Sequence, residues 1–253
     1  MRSLTPNKAE EADFPLAMIS HNPNLSRKQV LAILLCWAAV AVAVLLWCPD
    51  SRGIILSRLS RKSVTQRVEA ISIAKPWLKD AASQMRGQLS ILVFKRERLV
   101  ELRAPGWDAP RVYKMTNFSG KLGPKLREGD GQIPEGIYGV GYLNPNSAFH
   151  LSLNVSYPNA FDRARSMEDG RENLGGDIMI HGGGATVGCI PIGDDAIEEV
   201  FFLAAKAGRK NVTVIISPYD MRKGRIAELE QSPLPWYEVL CDEIAAALPR
   251  QPR

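Results

Sequence analysis

The chain has 253 residues, of which 45% are hydrophobic, and it carries a formal net charge of +5. This length allows one well-buried domain with appended segments and excludes two large domains. The basic residues are scattered, without interleaved aromatic residues or a nucleic-acid-binding motif, so the sequence predicts no nucleic-acid partner. The mild basic excess instead suits an anionic surface such as a membrane or a cell wall.

The N-terminal part divides into a polar tail and an apolar segment. Residues 1–29 are polar and lack periodicity, which predicts a disordered cytosolic tail. Residues 30–48 contain no charged side chain. A helix of this length, at ~1.5 Å rise per residue, just spans a hydrocarbon core of roughly 30 Å. We therefore predict a single transmembrane anchor, with Trp47 at its end as an interfacial aromatic residue.

Two alternatives to a permanent anchor remain open at this point. The segment could be a cleaved signal sequence, although no small-x-small site follows it. It could also end in a lipoprotein cleavage site at Cys48, but the large Trp47 stands where a small residue is needed. Basic residues on the two flanks are nearly balanced in number, so they do not determine the orientation of the segment.

The remaining chain predicts a mainly β domain with flanking helices. Residues 49–89 have helical composition interrupted at Pro76, which predicts a stalk or helical linker. Residues 90–220 contain short strands, including a hairpin at 91–102 around a charged turn, and a helix at 195–207. Residues 221–253 form a C-terminal extension with a helix at 236–248.

One stretch, residues 177–191, carries a catalytic pattern. A short apolar strand ends at His181, a glycine-rich turn follows, and Cys189 comes eight residues later. A thiol with an ordinary pKa of ~8.5 is mostly protonated at neutral pH, so a nucleophilic cysteine needs a neighbouring base. The turn allows the imidazole of His181 to approach the thiol of Cys189. We predict that Cys189 is the nucleophile and His181 its base.

The glycines of this stretch have a chemical interpretation. Gly188 lacks a side chain, which would let a substrate carbonyl approach backbone N–H groups in an oxyanion hole, and Gly182 could serve similarly. The alternative interpretations are a buried structural cysteine at 189 and a backbone-bonded histidine at 181. Phosphate binding by the glycines is disfavoured because no P-loop lysine follows.

At this point the residues resemble the YkuD-type L,D-transpeptidases, and more specifically their YafK-like branch. The catalytic motif of that family matches His181-Gly182 and Thr186-Val187-Gly188-Cys189. The resemblance covers roughly residues 91–218 and includes the stretches at 118–125, 132–136, 143–147 and 157–162. One departure concerns the second residue after the cysteine, where many members have an arginine and this chain has Pro191.

The resemblance implies a function at the bacterial cell wall. It implies an L,D-transpeptidase-like catalytic domain at 90–220, on the periplasmic side of the cytoplasmic membrane, without a cofactor or a metal. Cys189 would attack the bond after an L-centre of a peptidoglycan stem peptide and form a thioester, which an amine or water resolves. Thr186 would support the motif, either by orienting His181 or by capping the turn.

Three further residues are candidates for substrate binding. His150 lies on the polar face of a predicted strand, and Arg163 and Arg165 could bind a substrate carboxylate. The alternative for His150 is a solvent-exposed position without a function, and for Arg163 and Arg165 a solvated loop, which the sequence favours. Lys121 and Lys125 in the glycine-rich loop are similar cases, and Cys241 is expected in the core.

Three functions therefore remain in competition. The first is transfer, which remodels or cross-links peptidoglycan. The second is hydrolysis of the same acyl-enzyme, as a carboxypeptidase or as an amidase that releases wall-linked protein. The third is a non-catalytic wall-binding module, which the presence of both His181 and Cys189 disfavours.

Overall fold

The computed structural model describes residues 26–47, 60–230 and 232–249. The chain divides into two compact units, Met1–Ser60 and Arg61–Arg253. In the first unit, helix α1 covers Arg27–Trp47, and its side chains are described from residue 28 to residue 40. The predicted tail up to residue 25 and the far end of the predicted anchor lie outside the described residues. Among those that are described, no helix is both long and apolar enough to cross a membrane.

The described residues of the second unit form an eight-stranded sheet and six further α-helices. The helices are α2 (Val64–Ala74), α3 (Trp77–Gln84), α4 (Ala160–Glu168), α5 (Asp194–Ala207), α6 (Ala227–Glu230) and α7 (Tyr237–Ala247). The strands are β1 (Leu89–Phe94), β2 (Leu99–Arg103), β3 (Arg111–Lys114), β4 (Gly136–Ser147), β5 (His150–Val155), β6 (Met179–His181), β7 (Ile190–Pro191) and β8 (Val212–Ser217).

The eight strands form one mixed sheet in the order β3-β2-β1-β8-β4-β5-β6-β7. Strand β1 runs parallel to β8, and β6 runs parallel to β7, whereas the other neighbours are antiparallel. The predicted hairpin is confirmed, because β1 and β2 pair antiparallel around a short turn. The predicted helix at 195–207 is also confirmed and begins one residue earlier.

The central strands are buried on both faces of the sheet. In β1, Ile91 and Val93 point into a large core that contains α5, and Leu92 and Phe94 point into a second core that contains α7. This division follows from the two-residue period of a strand, which sends successive side chains to opposite faces. The apolar sequence of β1 is therefore explained by a helix on each side of the sheet.

The predicted combination of a sheet with flanking helices is confirmed, but the helices contribute more to the domain than a mainly β fold implies. Part of the segment predicted as a stalk forms α2 and α3, whose Ile71, Leu78 and Ala81 are buried in the large core. In the C-terminal extension, α7 covers the opposite face through Tyr237 and Leu240. The folded domain therefore includes residues on both sides of the predicted 90–220 range.

Candidate active site

The parallel pairing of β6 and β7 brings the two predicted catalytic residues to one place. His181 pairs with Pro191, and Cys189 directly precedes β7, so extending the register places Cys189 beside Met179. Strands about 4.8 Å apart, with a rise of about 3.3 Å per residue, then separate the Cα atoms of Cys189 and His181 by about 8 Å. Within the described residues, the imidazole and the thiol make no hydrogen bond to each other; the strand pairing places the two residues near one another on adjacent strands.

The turn after His181 requires glycine for steric reasons. A Cβ atom on Gly182 would lie 2.5 Å from Oδ1 of Asp194 and 2.7 Å from the carbonyl oxygen of Phe149. The N–H of Gly182 donates to that same carbonyl at 3.1 Å, and the N–H of Gly183 donates to Asp194 Oδ1 at 2.8 Å. These contacts hold the turn against α5 and the loop before β5.

The imidazole of His181 is buried and oriented by its own backbone. Its Nδ1 lies 2.6 Å from the carbonyl oxygen of Gly182. A carbonyl oxygen can only accept a hydrogen bond, so Nδ1 carries the proton and Nε2 keeps a free lone pair. Burial lowers the pKa of His181, although the bond to Gly182 opposes this shift. The imidazole is therefore neutral near pH 7 and able to accept a proton at Nε2.

The thiol of Cys189 is half-buried and protonated in the resting state. Its Sγ lies 3.6 Å from the carbonyl oxygen of Asp177, to which the thiol donates. Burial raises the pKa of Cys189, the backbone N–H of Met179 opposes this, and the charge of Asp177 adds to it. The site therefore holds a neutral thiol and a neutral imidazole near pH 7, and a thiolate forms there only when a base accepts the thiol proton.

Thr186 closes the turn that presents Cys189. Its Oγ1 accepts the N–H of Cys189 at 3.0 Å and donates to the carbonyl oxygen of Cys189 at 2.7 Å. Of the two roles considered for Thr186, these contacts correspond to capping the turn. Thr186 thus fixes the backbone of Cys189 on both sides of its Cα atom.

The N–H of Gly188, predicted as an oxyanion donor, is engaged by a residue that sequence reasoning missed. It donates to Oγ of Ser119 at 2.7 Å. Gly188 has a φ of +87°, and a Cβ atom there would lie 3.1 Å from the carbonyl oxygen of Gln132. The loop at 119–132 therefore packs directly on Gly188, the residue before Cys189. The only sequence signal for Ser119 is its position in the family-like stretch at 118–125.

A cleft of about 180 Å³ opens beside the thiol. Cys189 and Val187 line it, together with Glu128, Gly129, Gly131 and residues 175–178. Lys125 also lines the cleft, and its Nζ donates to Asp130 Oδ1 at 2.7 Å and to the carbonyl oxygen of Arg127 at 2.8 Å. The positive charge of Lys125 slightly favours the thiolate of Cys189.

A buried ionic network anchors the loop that borders this cleft. Lys95 and Glu135 form an ion pair of 2.8 Å with both side chains fully buried. Nζ of Lys95 also donates to the carbonyl oxygens of Gly123 and Ile133. Tyr237 from α7 donates to the other oxygen of Glu135 at 2.7 Å. The C-terminal helix and the cleft loop are therefore joined through one carboxylate.

The structure gives the three other predicted binding residues different surroundings. His150 Nε2 lies 2.8 Å from Glu198 Oε1 on α5, and Glu198 also contacts Lys75. Arg163 is exposed on α4, and Arg165 contacts Glu168 of the same helix at 2.6 Å. These three residues do not line the cleft beside Cys189. Within the described ranges, no cluster of three or more His, Cys, Asp or Glu side chains is arranged to hold a metal ion.

Comparison with known proteins finds relatives that match 159 residues of this chain. No protein-family model matches the chain. The chain is 35% identical over 159 residues to "Putative L,D-transpeptidase YafK" of Escherichia coli strain K12, and equally to that of strain O157:H7. The match covers 59% of this chain and 62% of each relative, so the chain spans about three fifths of the length of these curated proteins.

Solved structures give weaker matches. The helical cell shape determining protein Pgp2 from Campylobacter jejuni has a TM-score of 0.41 and 23% identity, over 53% of this chain and 48% of that chain. L,D-transpeptidase 1 from Mycobacterium tuberculosis has a TM-score of 0.30 and 12% identity, over 51% of this chain and 61% of that chain. The match to YafK confirms the resemblance predicted from the motifs: over the region they share, this chain is similar to the YafK-like L,D-transpeptidases.

Proposed function

We propose that this chain is a cysteine acyltransferase that acts on peptidoglycan stem peptides, in the manner of an L,D-transpeptidase. The observation that carries the proposal is the hydrogen bond from His181 Nδ1 to the carbonyl oxygen of Gly182, which leaves Nε2 as a base on the strand beside Cys189. The similarity to YafK supports peptidoglycan as the substrate class.

The proposed first half-reaction forms a thioester. Nε2 of His181 takes the proton of Cys189, and the sulfur attacks the carbonyl carbon between an L-centre of the stem peptide and the following D-residue. The carbonyl π electrons move onto oxygen as the S–C bond forms. When the carbonyl is restored, the C–N bond breaks, and the proton on His181 goes to the departing amine.

The second half-reaction decides between transfer and hydrolysis. An acceptor amine that attacks the thioester forms a new amide and restores the thiol, whereas water gives a free carboxylate. A second cleft of about 650 Å³ runs along the same loop, and its lining includes the cationic Lys121, Arg127 and Arg171 together with the acidic Asp130 and Glu172. These cationic side chains suit the carboxylate of an amino-acid or peptide acceptor. The cationic side chains of Lys121 and Arg127 are the feature of this cleft that supports transfer.

The experiment that separates the two outcomes compares products from one substrate. A tetrapeptide muropeptide is incubated with the protein, with and without an excess of a D-amino acid, and the products are identified by mass spectrometry. Transfer predicts new amide-linked products with the D-amino acid. Exclusive release of shortened stems, even with abundant amine, would establish the hydrolase. Binding of muropeptide without any product would support the wall-binding module instead.

A charge-neutral variant tests the second cleft separately. Lys121→Gln combined with Arg127→Gln should lower the ratio of transfer to hydrolysis, because the acceptor loses its carboxylate partners. Formation of the thioester should continue, since neither side chain lines the cleft beside Cys189. Arg163→Gln on α4 is the matched control and should leave the product ratio unchanged. An unchanged ratio in the double variant would remove the acceptor role of this cleft.

The proposed substrate lies outside the cytoplasmic membrane, so the domain at Arg61–Arg253 must reach that side. The uncharged stretch at residues 30–48 supports a single-pass anchor with the N-terminal tail in the cytoplasm. A reporter enzyme that works only in the periplasm, fused after Arg253, should be active. Activity only of a cytoplasmic reporter at the same position would contradict both this topology and the peptidoglycan role.

A further inference from the structure

Both backbone N–H groups next to the nucleophile are already engaged by side chains. Gly188 donates to Ser119 Oγ at 2.7 Å, and Cys189 donates to Thr186 Oγ1 at 3.0 Å. These are the groups that would ordinarily be expected to stabilise the oxyanion formed when the sulfur attacks a carbonyl. Another donor near the sulfur must therefore take part in stabilising this charge, or one of the two bonds must break first.

The hydroxyl groups of Thr186 and Ser119 differ in whether their protons are already used in a hydrogen bond. Thr186 uses its hydroxyl proton to donate to the carbonyl oxygen of Cys189. Ser119 accepts one hydrogen bond through Oγ, and no acceptor for its own proton is recorded among the residues that the structure describes. A hydroxyl can accept and donate at once, and accepting from an N–H makes it a better donor.

The position of Ser119 is fixed by the loop around it. Oε1 of Gln132 accepts the N–H of Lys121, two residues after Ser119. The N–H of Gln132 in turn donates to Asp130 Oδ1 at 3.0 Å, and Asp130 is paired with Lys125. A hydroxyl on such a loop is held in place before the reaction begins, which is the condition for effective electrostatic stabilisation.

We propose that Ser119 is a catalytic residue whose hydroxyl donates a hydrogen bond to the oxyanion of the tetrahedral intermediate. The N–H of Gly188 acts through Ser119 by polarising that hydroxyl, and Thr186 keeps Cys189 in place. This inference rests on the proposed acyl transfer and adds a specific donor to it. No bond to Ser119 forms or breaks in the reaction, because its proton stays on Oγ throughout.

The test compares two reactions of the same thiol. A carbapenem acylates cysteine through attack on its β-lactam carbonyl, so an oxyanion forms and the protein gains the mass of the whole molecule. Iodoacetamide alkylates the same sulfur by displacement of iodide, without an oxyanion. Both rates are measured at Cys189 by mass spectrometry of the peptide that contains it, for the full chain and for Ser119→Ala, Ser119→Thr and the surface control Ser83→Ala.

We expect Ser119→Ala to lose acylation rate but not alkylation rate. Ser119→Ala should slow acylation about 100- to 1,000-fold, the effect of removing one oxyanion donor. Its rate of alkylation at Cys189 should match that of the wild type. Ser119→Thr, which keeps the hydroxyl, should recover most of the acylation rate, and Ser83→Ala should behave like the wild type.

Three results would contradict the inference in different ways. Acylation of Ser119→Ala at the wild-type rate or faster would mean that the freed N–H of Gly188 is the real donor. An equal loss of acylation and alkylation would mean that Ser119 acts on the fold or on the thiol. A wild-type protein that is alkylated at Cys189 but never acylated by carbapenem or muropeptide would refute the proposed function itself.

Discussion

The ring of Phe149 lies against the imidazole of His181, with 4.7 Å between the ring centroids and 37° between their planes. Phe149 also accepts the N–H of Gly182 through its carbonyl oxygen, so one residue covers the imidazole and holds the turn that follows it. Its side chain is 43% exposed. The partly exposed ring of Phe149 thus covers one side of the imidazole, and its removal should change the surroundings of His181 first.

In Phe149→Ala, the fall of the acylation rate on the acidic side of its pH profile should occur at higher pH than in the wild type. Burial lowers the pKa of His181, and only the neutral imidazole can accept the thiol proton, so activity falls as pH drops through that pKa. Opening the site to water raises this pKa toward the ordinary value of ~6.5. The measurement is the pH profile of the acylation rate, with Phe149→Leu as the control that keeps an apolar cover. An acid limb that does not move in Phe149→Ala would contradict this role.

Cys189→Ala should abolish acylation and leave the fold intact. Cys189 is half-buried beside an open cleft, so the loss of its sulfur removes chemistry more than packing. Cys241→Ala is the control in which stability should change and acylation should not, because Cys241 is fully buried in the second core. That variant should lose about 1 kcal/mol of stability and keep its acylation. Adduct mass and urea unfolding check both expectations, and an acylated Cys189→Ala protein would show that another residue is the nucleophile.

Lys95→Met should destabilise the domain strongly and reduce activity. Lys95 and Glu135 are fully buried together, so removing the lysine leaves an uncompensated carboxylate in the interior. Such a change costs about 3–5 kcal/mol of the free energy of unfolding. The cleft loop also loses the two carbonyl contacts that Lys95 makes. Urea unfolding is the measurement, and exposed Lys223→Met should change stability by less than about 0.5 kcal/mol. A neutral effect of Lys95→Met would contradict the anchoring role of the network.

Gly182→Ala should disturb the site, whereas Gly184→Ala should be tolerated. The new Cβ atom at 182 would meet Asp194 Oδ1 at 2.5 Å and the carbonyl oxygen of Phe149 at 2.7 Å. At 184, only Thr116 Oγ1 comes near, at an ordinary 3.8 Å. Relieving the first contact shifts the carbonyl that orients His181 and costs about 1–3 kcal/mol. Acylation rate and thermal unfolding are compared for the two variants, and equal effects would exclude a specific role for the packing of Gly182.

Local patterns predicted the elements that depend on neighbouring residues. The hairpin of β1 and β2 follows from two apolar runs around a charged turn, and α5 follows from its apolar stripe. The turn between His181 and Cys189 was predicted because its strand end, glycines and thiol lie within one short stretch. The parallel pairing of β6 and β7 then sets the position of Cys189 relative to His181.

Contacts between distant parts of the chain could not be predicted from such patterns. Ser119 and Gly188 are 69 positions apart, and Glu135 and Tyr237 are 102 apart. Neither pair has a local signal, because each depends on how the sheet arranges its loops. For His150, the alternation of side chains along β5 predicts that it lies on the polar face of the strand. Alternation does not predict its partner on that face, which is Glu198 of α5.

The most direct test of the central claim is the mass of the protein trapped during reaction. Wild-type protein is mixed with a tetrapeptide muropeptide, quenched in acid within the first turnover, and mapped by peptide mass spectrometry. We expect an acyl adduct on Cys189, equal in mass to the muropeptide without its terminal D-residue, and no adduct in Cys189→Ala. Turnover of the muropeptide with no adduct on Cys189, or with the same turnover in Cys189→Ala, would contradict it.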